Sequence, residues 1–129
     1  MYISKKDMKV LLKAQQGELD AVLMYKALAD IVKKKRDAAV FRQLAAEEGH
    51  HASVFKAMTK RNLKPKKTLA TVVPLMYKLI GKKKLYPIIA KFEYGAVHTY
   101  APVAEKFPEV ESVKNDEHRH GDTVMALLS

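Results

Sequence analysis

The sequence predicts an all-α protein: a four-helix bundle forming one domain over residues 1–129, with one long crossover between the second and third helices. Three observations predict it. Four stretches carry apolar side chains at alternating steps of three and four, the spacing that places them on one face of a helix. The composition, 48% hydrophobic with only 5 Gly and 5 Pro, supplies a core for one ordinary domain and few breakers to interrupt long helices. Finally, roughly twenty residues from Leu63 to about Gly81 separate two helix pairs whose internal loops are short. At about 1.5 Å per residue if helical, and more than double that if extended, this crossover can carry the chain back along the bundle so that the second and third helices run parallel.

The first helix is expected to start after Ser4, which with Asp7 three residues on resembles a capping box, and to run to the basic cluster Lys33 to Arg36. Its stripe is Leu11, Gln15, Glu18, Val22, Tyr25, Ala29 and Val32. Asp37 is a good N-cap for the second helix, which should end near Asn62 and carries Phe41, Leu44, Glu48, His51, Phe55 and Met58 on one face. Within the crossover, Leu69, Val72, Val73, Leu75, Met76, Leu79 and Ile80 are too apolar for a free loop. They either pack on their own bundle as a short helix or form part of a homodimer interface. The third helix should run from about Lys83 to Lys106, with Pro87 in its first turns and a stripe that includes Tyr86, Ile89, Glu93, Ala96, Tyr100 and Val103. Pro102 lies inside it and should kink it or remove one hydrogen bond. Pro108 stands where proline is favoured at the start of the fourth helix, whose stripe is Val110, Val113, Glu117, His120, Val124 and Leu127.

Charged residues interrupt these apolar stripes, and they do so twice in one pattern. Glu18, Tyr25, Glu48 and His51 in the first half are matched by Glu93, Tyr100, Glu117 and His120 in the second. A buried carboxylate without a partner costs several kcal/mol, so four in one layer require something cationic between them, and two divalent metals would balance them. Residues three apart on a helix share a face, so each Glu-x-x-His can present a carboxylate and an imidazole to one ion. One such motif alone is commonly a solvated pair; two on apolar stripes, with a striped Glu on each remaining helix, are not. Imidazole with carboxylates suits iron or manganese, and with no cysteine in the chain a thiolate site is excluded. By the repeat's symmetry Glu48 and Glu117 should bridge the two metals, while Glu18 and Glu93 bind one each. Glu47 and His50 also form Glu-x-x-His, but off the stripe. Glu47 and Asp116, each one residue before a ligand Glu, are instead expected to turn toward the adjoining helix and accept the second N–H of His120 and His51. Tyr25 and Tyr100 are either core filling or the candidate catalytic residues, and the nearest acceptors for their hydroxyls should be the ligating carboxylates.

Over nearly its whole length the chain resembles the rubrerythrin-type members of the ferritin-like di-iron proteins. The resemblance rests on Gly17-Glu18 with Tyr25, on Glu48 and His51 within Ala45 to Ala52, on Glu93 with Tyr100, and on Asp116-Glu117 with His120. It implies a ferritin-like bundle with a centre of two iron ions that reacts with hydrogen peroxide or dioxygen, or that oxidises ferrous iron. Two departures stand out. Rubrerythrins usually carry a further ligating Glu one turn after the first on the third helix, where this chain has Ala96. They usually also carry a rubredoxin domain whose four cysteines hold an electron-donating iron, and this chain has no cysteine. The expected function is therefore a non-haem di-iron oxidoreductase reducing peroxide or dioxygen with electrons from a separate donor protein. The alternative is a ferroxidase-type iron-handling protein.

The net charge of +10, from 24 Lys and Arg against 14 Asp and Glu, points to a basic surface. Lys33 to Arg36 suit the end of the first helix, whereas Lys82 to Lys84 stand where the third helix's dipole disfavours cations. Both clusters should lie at one end of the bundle, as a solvated face or as a basic cap for an acidic donor. No aromatic-interleaved basic strip or recognition helix supports a nucleic-acid partner. No N-terminal apolar stretch suggests a signal peptide, and the longest apolar run, near Leu69 to Tyr77, is too short to span a bilayer, so a cytoplasmic protein without a membrane partner is expected.

Overall fold

The computed structural model describes residues 2–129, folded as five helices. Ser4 opens the first: its Oγ accepts the Asp7 N–H at 3.1 Å, and α1 runs over Lys5–Ile31. The carboxylate of Asp7 turns to Lys106 at 2.9 Å, tying the start of α1 to the far end of the third predicted helix.

Asp37 does not cap the second helix. α2 spans Lys35–Thr59 and its N-cap residue is Lys34, which makes no side-chain capping bond. Asp37 sits in the first turn and is buried because it has tertiary partners: Tyr86 Oη donates to it at 2.8 Å and Lys82 Nζ at 3.2 Å. The helix stops three residues short of Asn62, where Lys60 takes the left-handed backbone (φ 58°) of a C-cap.

The crossover contains α3, Thr68–Ile80, lying along α1 with Val73 buried and Met76 and Tyr77 packed on the core. It is a short helix on its own bundle, and Val72, Leu75 and Leu79 remain exposed on its other side. Gly81 alone separates it from α4, Lys82–Ala104; its φ of 75° is a conformation that L side chains rarely adopt. Pro102 falls in the last turn of α4, where the loss of one N–H interrupts little of the ladder. Pro108 opens α5, Pro108–Ala126.

α1 packs along α2, and α4 along α5. The contact between Lys82 and Asp37 joins the first turns of α4 and α2, so these two helices start at the same end, as the crossover requires. The apolar core forms two clusters. One holds Tyr25, Leu28, Phe41, Leu85, Tyr86 and Val124; the other holds Leu11, Phe55, Tyr100, Val103, Val110 and Val113. Among the described residues no helix is long and apolar enough to cross a membrane.

Candidate metal centre

The four long helices bring six ionisable side chains together: Glu18 from α1, Glu48 and His51 from α2, Glu93 from α4, and Glu117 and His120 from α5, each no more than 6% exposed. They form two overlapping groups able to hold a metal ion. One is Glu18, Glu48, His51 and Glu117; the other is Glu48, Glu93, Glu117 and His120. Glu48 and Glu117 belong to both.

The imidazoles are oriented alike. His51 Nδ1 faces Glu117 Oε1 at 2.9 Å and Glu48 Oε1 at 3.0 Å, while its Nε2 meets Asp116 Oδ2 at 2.8 Å. His120 Nδ1 faces Glu48 Oε1 at 3.3 Å, and its Nε2 meets Glu47 Oε1 at 3.0 Å. A carboxylate at Nε2 holds the Nε2–H outward, so that loss of the Nδ1 proton leaves a lone pair facing the centre. The tyrosines cross over: Tyr25 of the first repeat donates to Glu93 of the second, and Tyr100 donates to Glu18 Oε1 at 2.9 Å. Burial, followed by the carboxylates around them, pushes both phenols well above their ordinary range, so they remain protonated donors.

The electrostatics are those of a crowded acidic layer. Burial is the largest influence on Glu18, raising it to about 8. Burial likewise lifts Glu117 far above the usual carboxylate range. Burial also works against ionising Glu48, but the imidazoles of His120 and His51 beside it outweigh burial and hold this carboxyl low. The same balance, burial opposed by contacts to Glu48 and Glu93, holds His120 at about 10. Even with these internal partners, Glu18 Oε2, Glu93 Oε2, Glu117 Oε1 and His120 Nδ1 are buried without a hydrogen bond. Native interiors rarely leave such atoms unpaired, and all four belong to the two groups above. The donor set, oxygen with imidazole nitrogen, fits a pair of divalent ions such as iron or manganese.

Three features lay beyond the sequence reading. Arg119 stands between Glu47 and Asp116, donating to Glu47 and approaching Asp116 Oδ1 at 3.4 Å, so one guanidinium braces the carboxylates behind both imidazoles. Its place between Glu117 and His120, turned outward, was the only available signal. Gly121 leaves room for the Tyr94 ring, which a Cβ there would strike. The third is a cavity of about 490 Å³ between α1, α3 and α4, with Glu18, Glu93, Tyr25 and Tyr100 in its wall and Ala96 beside them. Leu69, Val72, Ile88 and Phe92, all partly exposed, form its apolar mouth.

The rubrerythrin family model matches residues 9–128, nearly the whole chain. The chain belongs to the rubrerythrin family. No curated protein and no solved structure matches it. Within this rubrerythrin fold Ala96, the position just before the turn that carries Tyr100, lines the cavity together with Glu18 and Glu93, so the acidic layer borders the cavity on that side.

The outer carboxylates give a direct test. Asp116→Asn should weaken Mn(II) or Fe(II) affinity roughly 10- to 100-fold, because an amide at Nε2 no longer fixes the imidazole's proton and orientation. Anaerobic titration measures it, and unchanged affinity would show that Asp116 is only a surface group.

Proposed function

We propose that this rubrerythrin-family protein is a non-haem di-iron oxidoreductase, reducing hydrogen peroxide or dioxygen with electrons delivered by a separate donor protein. The observation that carries the reading is the pair of buried Glu/His groups sharing Glu48 and Glu117. Glu18, Glu48, His51, Glu93, Glu117 and His120 would hold the ions. When bound, two ferrous ions supply the two electrons that, with two protons, convert peroxide to two waters. The chain's own groups do the rest. Asp116 and Glu47 set the imidazoles, braced by Arg119. Tyr25 and Tyr100 hold protons on the carboxylates of Glu93 and Glu18 and fix their orientation. The cavity gives a small oxidant a path that bypasses the packed core.

Protein loaded with Fe(II) under anaerobic conditions is expected to consume about one peroxide per pair of ions in a single turnover, and to continue only when a reductant is added. Slow peroxide consumption alongside rapid oxidation of added Fe(II) by dioxygen would favour the iron-handling alternative instead.

The donor is proposed to dock on the basic cap. Lys33, Lys34, Lys35, Lys83 and Lys84 are exposed there, whereas Lys82 is taken up by Asp37 and the Leu127 carbonyl. Reversal of Lys83 and Lys84 should slow donor-dependent turnover in a salt-sensitive way and leave single-turnover peroxide reduction unchanged. Equal rates for this variant and the parent at low ionic strength would place the donor elsewhere.

A further inference from the structure

Between Glu48 and Glu93 the chain has no acidic residue. Residues 49–92 contain eleven Lys and Arg and no Asp or Glu, while the remainder, with 13 basic and 14 acidic residues, is nearly neutral. This one segment therefore carries the molecule's net positive charge, and α3 lies within it.

α3 is apolar on the side facing away from the bundle as well. Val72, Leu75 and Leu79, at steps of three and four, share a helix face and are 43, 54 and 74% exposed. On α4 the neighbouring Ile88 and Phe92, one turn apart, are exposed too, and Phe92 is 74% accessible. With Leu69 and Ile80, these account for seven of the nine exposed large hydrophobic side chains among the described residues. Exposed lysines flank the patch: Lys64, Lys66 and Lys67 before α3 and Lys78 in its last turn.

We propose that this face docks on an anionic lipid bilayer, with α3 lying in the interface, its apolar stripe among the upper acyl chains and its lysines among the headgroups. Thirteen residues are too few to span a bilayer, so an absence of spanning helices says nothing against a helix lying on one. Charge decides between this occupant and a second copy of the chain. A twofold contact would set the lysine rim largely against itself: residues 49–92 supply no carboxylate, and Asp20 of α1, which reaches the rim, already accepts from the Lys66 N–H and from Gln16 Nε2. Acidic headgroups answer every lysine, and the acyl layer covers the leucines. The cavity mouth, formed by Leu69, Val72, Ile88 and Phe92, opens on the same face. Docking would close it to bulk water and open it to apolar solutes of the bilayer.

The test uses the metal-loaded full chain with vesicles of equimolar phosphatidylcholine and phosphatidylglycerol, and with vesicles of phosphatidylcholine alone. Co-sedimentation is expected with the first at low salt and not with the second. Leu75→Ser with Leu79→Ser should weaken it at least about tenfold, through lost apolar burial. Lys67→Glu with Lys78→Glu should do the same through charge. The chain has no tryptophan, so Leu79→Trp supplies a unique probe whose emission should shift to the blue only with the anionic vesicles. No binding to anionic vesicles at low ionic strength overturns the proposal. So does binding that the serine variant leaves unchanged, which would be charge alone, and so does a dimer abolished by those serines with no vesicle binding, which would make the face a contact between copies.

Discussion

A chain carrying Glu48→Ala together with Glu117→Ala is expected to bind well under one equivalent of metal, against two for the parent. These two carboxylates occur in both of the buried groups, so the double substitution strips two donors from each at once and leaves one Glu and one His per ion. Neither remaining pair can satisfy a divalent cation away from water. Metal analysis after anaerobic loading measures the loss, and melting supplies a second reading. A ligand present at a hundredfold excess over its dissociation constant stabilises a fold by about 2.7 kcal/mol, so added metal should raise the parent's melting temperature and not the variant's. His50→Ala is the control: it belongs to the Glu-x-x-His that points away from the layer, and it should keep both ions. Retention of two equivalents by the double variant would rule the assignment out. The pH dependence has a definite sign. Glu18, raised by burial to about 8, and His120, held at about 10, both carry protons at neutral pH in the metal-free protein. Metal must displace these protons, so uptake releases them and affinity climbs as the pH rises toward 8.

The helices and the candidate site were legible together because one signal encodes both. A ligand on a buried stripe obeys the same steps of three and four as its apolar neighbours, so Glu48 and His51 could be placed inward from Phe41, Leu44, Phe55 and Met58 alone. The outward placement of Glu47 followed from the same register. Tertiary partners outside that register were not legible. Asp37 reads as a helix cap because it is a carboxylate near a helix start, and the partners that bury it, Lys82 and Tyr86, lie 45 and 49 residues away. Arg119 reads as a solvated charge until α2 and α5 pack and place Glu47 beside it. The cavity has no local signature, since it depends on how α3 sits between α1 and α4. The charge asymmetry of residues 49–92 was fully present in the sequence, but its meaning depended on which face of α3 the bundle covered.

Asp37→Ala is expected to destabilise the metal-free fold by about 3 kcal/mol while leaving its capacity for two metals intact. Asp37 is 1% exposed and accepts from Tyr86 Oη, from Lys82 Nζ and, at 3.4 Å, from Arg36 Nε. Removing it strands the hydroxyl of fully buried Tyr86, a cost of about 1–3 kcal/mol, and leaves Lys82 without its carboxylate. Loss of one partner of a fully buried pair costs about 3–5 kcal/mol, and the lower figure applies because Lys82 and Arg36 keep partial contact with water. The metal layer should be untouched, since Glu48 lies eleven residues further along α2, about 16 Å at helical rise. Burial works against the charge on Asp37, but Tyr86, Lys82 and Arg36 outweigh it and hold the carboxyl below its ordinary value. A depressed carboxylate stabilises the fold above its unfolded pKa and loses that contribution as pH falls through its folded value. The difference between parent and variant should therefore be full at neutral pH and shrink in acid. Urea unfolding of the metal-free proteins at both pH values measures it. A gap below about 1 kcal/mol at neutral pH, or one that acid leaves unchanged, would mean that Asp37 is held by packing around it and that its three donors contribute little to joining α2 with α4.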